Sequence, residues 1–119
     1  MTKKEQLLRK FNEAFAQNDI EQILDNVTDD IRWTITGDCV INGREAFREA
    51  LLEMAGDDPF NLSINDIITH GDSASVNGTM EAPDGKTYAF CDIYKLQGLK
   101  NPKVKEMTSY VIKLKTEMV

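Results

Sequence analysis

The stretch TYAFCDIYKL, residues 87–96, carries the strongest structural signal in the chain. Its side chains alternate between two sets, Tyr88, Phe90, Asp92, Tyr94 and Leu96 on one face and Thr87, Ala89, Cys91, Ile93 and Lys95 on the other. Neither set is polar enough for a fully solvated surface, and a strand that is covered on both faces usually lies inside a sheet. We therefore predict a central strand with helices on one side. A second copy of the chain is the expected cover on the other side, which predicts a homodimer through the sheet face.

The chain around this strand reads as a series of hairpins. Gly56-Asp-Asp-Pro59 interrupts the preceding pattern, and from residue 60 apolar and polar residues alternate toward a turn at Gly71-Asp72. A second strand is predicted over 73–82. Ala82-Pro-Asp-Gly-Lys86 then supplies a turn before the central strand, because Pro, Asp and Gly each suit turn conformations. The last strand is predicted over 104–115.

The first half of the chain has helical periodicity. Residues 3–17 place their apolar side chains at i, i+1, i+4, i+7 and i+8, which is one face of a helix. Asp19 fits the N-cap of a short second helix over 20–26. Ile31 to Thr36 alternates as a strand, and a third helix is predicted from Asn42-Gly43 to about Met54, with Cys39 in the loop before it.

Helices at the front and strands at the back are typical of the α+β class, here as one domain over residues 1–119. The net charge of −6 disfavours nucleic-acid binding, which depends on attraction to phosphate. No apolar run approaches the roughly 20 residues of a membrane span. Without a recognisable export signal, we expect a cytoplasmic protein in which Cys39 and Cys91 stay reduced.

No cofactor or metal site is expected from the sequence motifs. The chain lacks the glycine-rich dinucleotide and phosphate loops and the HExxH zinc pattern. His70 is the only histidine and is expected to lie in an exposed turn, with no ligands spaced around it as a zinc site requires.

Four short motifs, in this order and spacing, resemble the NTF2-like (SnoaL-like) superfamily. They are FNEAFAQNDI at 11–20, VTDDIRW at 27–33, NGREAF at 42–47 and CDIYK at 91–95. The resemblance covers about Phe11 to Leu114. It implies a cone, in which the three helical segments pack in the concave face of a strongly curved, mostly antiparallel sheet.

The superfamily resemblance implies a small-molecule pocket rather than one reaction, because members include isomerases, epoxide hydrolases, polyketide cyclases, ligand binders and a transport adaptor. Compared with ketosteroid isomerases, Phe11 stands where those enzymes have a Tyr, and Thr34 where they have the base. Only Asp92 matches, at the position of the protonated Asp, so activity of that kind is not expected. The epoxide hydrolase pattern lacks its Arg, because the position two residues from Asp92 is Phe90.

Three functions remain open from the sequence. The first is binding of a largely apolar ligand, with Asp92 as its polar anchor. The second is a non-catalytic, dimeric protein-interaction domain, and the third is a SnoaL-like cyclase or isomerase in which Asp92 is the catalytic acid or base, since a buried carboxyl has a raised pKa. Asp92 could instead only hydrogen-bond a neighbouring Tyr, and the aromatic residues could be plain core. The expected lining of the pocket comprises Phe11, Phe15, Trp33, Ile35, Phe47, Leu51, Tyr88, Phe90, Asp92 and Tyr110.

Overall fold

A computed structural model describes residues 1–56 and 58–115 of the chain. Within these residues the α+β class is confirmed, with helices and strands in the order α1, α2, β1, β2, α3, β3, β4, β5 and β6. Their bounds are α1 Lys3–Ala16, α2 Ile20–Asp25, β1 Val27–Ile35, β2 Cys39–Asn42, α3 Arg44–Met54, β3 Asn61–His70, β4 Ser73–Glu81, β5 Thr87–Gln97 and β6 Lys103–Lys113.

The strands form one curved sheet in the order β2-β1-β6-β5-β4-β3. All neighbouring pairs are antiparallel except β1 and β6, which run parallel. The strand that contains residues 87–96 lies between β4 and β6, so the prediction of a central strand is confirmed. Irregular pairing between Ile64 and Asp66 in β3 bends the sheet near one edge.

The helix boundaries follow from side-chain caps. At the start of α1, Thr2 and Glu5 form a reciprocal capping box, which satisfies two backbone N–H groups that have no partner within the helix. Asp19 caps α2 by accepting a hydrogen bond from the Gln22 N–H, as predicted. The third helix begins after Gly43, at the predicted place.

Two predictions in the first half of the chain were wrong. Cys39 does not lie in a loop, because residues 39–42 form β2 and pair antiparallel with the end of β1. Strand β1 begins at Val27 rather than at the predicted residue 31. Pairing between Val27 and Val104 of β6 extends the strand, and a register shift before Arg32 accommodates the exposed acidic residues between them.

The core lies between the three helices and the concave face of the sheet. Its centre is aromatic, with edge-to-face contacts that link Phe11, Phe15, Trp33, Phe47 and Tyr94 at centroid distances from 5.2 to 6.5 Å. Such pairs add about 0.5–1.5 kcal/mol each beyond the burial of their surface. The aromatic cluster therefore fixes the position of α1 and α3 over the sheet.

Two further findings bear on function. In residues 1–56 and 58–115, no helix has the length and apolar character that crossing a membrane requires. Over the same residues, the side chains of His, Cys, Asp and Glu form no group of three that could hold a metal ion. Cys39 is exposed and Cys91 half-buried, both as free thiols. His70 is exposed at the end of β3.

Candidate functional site

A cavity of about 270 Å³ lies between the helices and the concave face of the sheet. This volume is near the lower end of the range of roughly 300–1,000 Å³ for small-molecule sites. Met54 and Val111 are about half exposed and mark where the cavity opens, whereas Trp33, Met107 and Ser109 are buried at its inner end. Its walls are mostly apolar, and the described residues add polar side chains at Asn12, Asn18, Asp92 and Ser109.

Six of the ten residues expected to line the pocket do border this cavity: Phe15, Trp33, Ile35, Leu51, Phe90 and Asp92. They come from α1, β1, α3 and β5, so the fold gathers residues that are up to 77 positions apart, from Phe15 to Asp92. On β5, the alternation of the strand directs Phe90 and Asp92 toward the helices together.

The other four expected residues do not border the cavity. Phe11 and Phe47 are completely buried in the core behind its wall. Tyr88 is half-buried on the concave side of β5, opposite Lys113 in the register. Tyr110 lies on the convex face of the sheet, 46% exposed, because its position in β6 pairs with Cys91 rather than with Asp92.

Asp92 is held from one side by a directed chain of hydrogen bonds. The Tyr94 hydroxyl donates to Asp92 Oδ2 at 3.3 Å, and the Asn12 amide donates to the same hydroxyl at 3.0 Å. The Asn12 amide also donates to the Leu8 carbonyl oxygen at 2.8 Å, one turn earlier in α1. Because the Leu8 carbonyl can only accept, this contact fixes the orientation of the amide.

A second series of side-chain contacts leads from β1 through β6 to Asp92. The Trp33 Nε1–H donates to the Ser109 hydroxyl oxygen at 2.9 Å, and Ser109 stands directly opposite Asp92 in the pairing of β5 with β6. The Ser109 hydroxyl stabilises the charged form of the Asp92 carboxyl and so lowers its pKa. Both series of contacts end at the Asp92 carboxyl, which accepts from Tyr94 and is stabilised in its charged form by Ser109.

Burial raises the pKa of Asp92 to about 6. The hydrogen bonds from Ser109 and Tyr94 stabilise the charged form and limit the rise. Burial, with the nearby charge of Asp92 added, also raises the pKa of Tyr94 well above its ordinary value, so Tyr94 remains a donor. Asp92 is therefore mostly ionised at neutral pH and close to the pH at which it takes up a proton.

Thr34 cannot act in this cavity as a base or in any other role. It lies on the convex face of β1, whereas its neighbours Trp33 and Ile35 line the cavity. Among the described residues that border the cavity, Asp92 is the one ionisable side chain.

Sequence reasoning missed Asn12 and Ser109. Asn12 carried a usable signal, because it lies on the apolar face of α1, four residues after Leu8 and next to Phe11. A polar side chain there must find a partner inside the protein. Ser109 had no comparable signal, since only the register of β5 against β6 brings it to Asp92.

Comparison with solved structures shows the same fold in other proteins. An NTF2-like protein of unknown function from Cytophaga hutchinsonii has 26% sequence identity and a TM-score of 0.65, over 91% of this chain and 98% of that one. A ketosteroid isomerase-like protein from Erwinia carotovora atroseptica has 19% identity and a TM-score of 0.69, over 91% and 92%. An LEH-like epoxide hydrolase from M. tuberculosis has 16% identity and a TM-score of 0.73, over 90% and 80%.

The last two likenesses concern the fold alone, given their low identity, and the chain has no significant match among curated proteins. The family model for the SnoaL-like domain, in contrast, matches residues 8–107, which include most of the cavity walls and Asp92. With the α+β cone and its neighbours of the NTF2-like type, this match identifies the chain as a member of the SnoaL-like domain family, within the NTF2-like superfamily.

Proposed function

We propose that this protein binds a small, largely apolar molecule in the cavity, with the Asp92 carboxyl as the polar contact. One observation carries the proposal: among the described residues, Asp92 is the one ionisable side chain that faces a mostly apolar cavity of about 270 Å³. A charged side chain is rarely left in such a place unless it interacts with something that binds there, because its desolvation destabilises the folded state.

The geometry favours ligand binding over the non-catalytic interaction domain. An interaction domain needs no interior cavity, and core side chains would be expected to fill the space between helices and sheet. Here Phe15, Trp33 and Leu51 line the space and leave it open.

A second candidate function is proton transfer by Asp92 in a SnoaL-like cyclase or isomerase. The observation that favours it is the pKa of about 6, because a general acid or base works best when its pKa lies near the working pH. Such a reaction would have to proceed with Asp92 as the only ionisable side chain that borders the cavity within the described residues.

A thermal-shift screen against apolar amines, carbonyl compounds and aromatic metabolites tests the proposed binding. A ligand at roughly 100 times its Kd stabilises the native state by about 2.7 kcal/mol, which raises Tm by several degrees. Met80→Trp should abolish the shift for any hit, because Met80 borders the cavity and the larger indole would occupy its space. Asp92→Asn should change the size of the shift, because it alters the proposed polar contact.

Ile68→Trp provides the matched control, since Ile68 is 61% exposed on β3 and does not border the cavity. It introduces the same side chain and should leave the shift intact. A hit that stabilises wild type, Met80→Trp and Asp92→Asn equally would bind elsewhere and contradict the proposal, as would the lack of any hit.

A further inference from the structure

We propose that the ligand of this cavity presents its polar end as a protonated amine, rather than as a carbonyl or a carboxylate. This inference rests on the proposed function, because it names the chemistry that the same site would bind. The inference depends on the hydrogen-bonding atoms around the cavity. The donors are engaged within the protein, whereas some acceptors are left for a ligand.

The amide donors that border the cavity are engaged within the protein. Both hydrogens of the Asn12 amide are donated, one to the Leu8 carbonyl and one to the Tyr94 hydroxyl. The Asn18 amide is similarly directed at two backbone carbonyls, Gly56 O at 3.2 Å and Asp58 O at 3.5 Å. Neither amide has a hydrogen left for a ligand.

The hydroxyl and indole donors are engaged as well. The indole N–H of Trp33 is donated to Ser109, and the Tyr94 hydroxyl donates to Asp92. The Ser109 hydroxyl stands opposite Asp92 in the strand pairing and stabilises the charged carboxyl. With these and the two amides, each side-chain donor of the described residues around the cavity already has an acceptor in the protein.

What remains for a ligand is a set of acceptors. The Asp92 carboxylate has more lone pairs than its two donors occupy. Asn12 Oδ1 receives no hydrogen bond from the described residues and is not sealed away from open space. A carbonyl placed here would face oxygen atoms and stay unpaired, and a carboxylate would in addition be repelled by Asp92.

Charge then favours an ammonium group over a neutral donor. The desolvation of Asp92 is already part of the unliganded fold, so a cation gains a charge-assisted hydrogen bond without a further loss of hydration by the carboxylate. Within residues 1–56 and 58–115, no cationic side chain borders the cavity to compete for Asp92. Its neighbours across the sheet are Val76 on β4 and Ser109 on β6, and Asn12 of α1 contacts it through Tyr94. The net charge of −6 adds a general attraction for cations.

A set of probes that share one apolar body tests this selection: 2-aminoindane, 2-indanol, 2-indanone and indane-2-carboxylate. Binding to the full chain is followed by NMR titration at about pH 8, where Asp92 is ionised. The amine is expected to bind about tenfold or more tightly than the ketone, because hydrogen bonds to charged groups exceed neutral ones by that margin. The alcohol should fall between them, and the carboxylate should bind most weakly.

The pH dependence gives a readout that general hydrophobic binding would not share. Near pH 5 the Asp92 carboxyl is mostly protonated and becomes a donor itself. Affinity for the amine should therefore fall from about pH 8 to about pH 5, while affinity for the ketone should rise. Tyr94, which donates to Asp92, stays protonated throughout this range because its pKa lies well above 10.

Asp92→Asn should reverse the order of the probes at about pH 8, because the amide replaces the charge with a donor of the same shape. Asp38→Asn is the matched control, since Asp38 is exposed in the turn before β2, and it should preserve the wild-type order. If the ketone binds as tightly as the amine, or the alcohol binds more tightly, the selection for ammonium is overturned while the proposed cavity binding stands. If no probe binds, both proposals fail together.

Discussion

At the scale of single residues, Asp92 is a carboxyl that the fold buries in the wall of the cavity. Its strand position would suit an apolar side chain, since Phe90 and Tyr94 flank it on the same face of β5. Hydrogen bonds from Tyr94 and Ser109 recover only part of the hydration that the carboxylate loses, and the pKa of Asp92 stays at about 6. The folded protein therefore holds a group whose charged form is less stable than it is in the unfolded chain.

This residue should make the stability of the protein depend on pH in a defined direction. Between an unfolded pKa of 3.8 and a folded pKa of about 6, the native state binds more protons than the unfolded state. The free energy of unfolding therefore falls as the pH rises through this window and levels off above it. The full loss attributable to Asp92 is about 3 kcal/mol.

Asp92→Asn removes this dependence, because the amide does not titrate. Urea denaturation from about pH 4 to about pH 8 should show the variant gaining stability relative to wild type across that range. Titration of the other carboxyl groups cancels in the difference. The exposed Asp38→Asn should run parallel to wild type, and parallel curves for Asp92→Asn would refute the prediction.

At the scale of elements, the hairpin of β3 and β4 forms part of the cavity wall through Leu62 and Met80. The hairpin bends where the pairing shifts between Ile64 and Asp66, and Gly78 of β4 stands opposite Ile64. A Cβ atom on Gly78 would conflict with the Ser63 carbonyl oxygen and lie 3.0 Å from Ile64 Cα. The bend therefore depends on the missing side chain.

Gly78→Ala should lower the free energy of unfolding by about 2 kcal/mol or more, because backbone atoms cannot move aside as a flexible side chain can. Chemical denaturation measures the loss. Gly56→Ala is the control, since a Cβ there meets nothing within 4 Å and the backbone needs no left-handed conformation. It should be neutral or stabilise the protein by about 0.4–1 kcal/mol. Equal effects of the two substitutions would disprove this role for Gly78.

The elements also show how far sequence reasoning reached. The spacing of apolar residues predicted α1 and α3, because each helix has one buried face. The alternation of residues 87–96 predicted that β5 is central, because neither of its faces is polar enough to be fully solvated. Strand β2 was missed because four residues are too few for a pattern, and only pairing with β1 holds them extended. The same limit applies to the site. Asp92 could be predicted because it lies on an apolar strand face, whereas the place of Ser109 beside it depends on the register of β6 against β5.

At the scale of the whole molecule, the convex face of the sheet carries apolar side chains in the open. One row across the strands includes Val40, Ile93 and Ile68, which are 45%, 41% and 61% exposed. Thr34 and Thr108 stand between Val40 and Ile93 in this row, and Ser75 stands between Ile93 and Ile68. Tyr110 and Ile112 extend the apolar surface along β6, at 46% and 67% exposure. We define these five residues as the convex patch, and its position is the one for which the sequence predicts a second copy as cover.

We propose that two copies of the chain associate through the convex patch, in a two-fold arrangement that places the same surface on both sides. Ile93 lies in the central strand, so Ile93→Lys would bring two charges into the middle of such an interface and should convert the dimer to a monomer. Sedimentation equilibrium measures the change in mass.

Leu99→Lys makes the same substitution at a residue that is 92% exposed in the loop after β5, away from the convex patch, and should leave the dimer intact. Because Ile93 faces away from the cavity, ligand binding should survive in the monomer. A wild-type protein that sediments as a monomer, or an Ile93→Lys variant that remains a dimer, would rule out this interface.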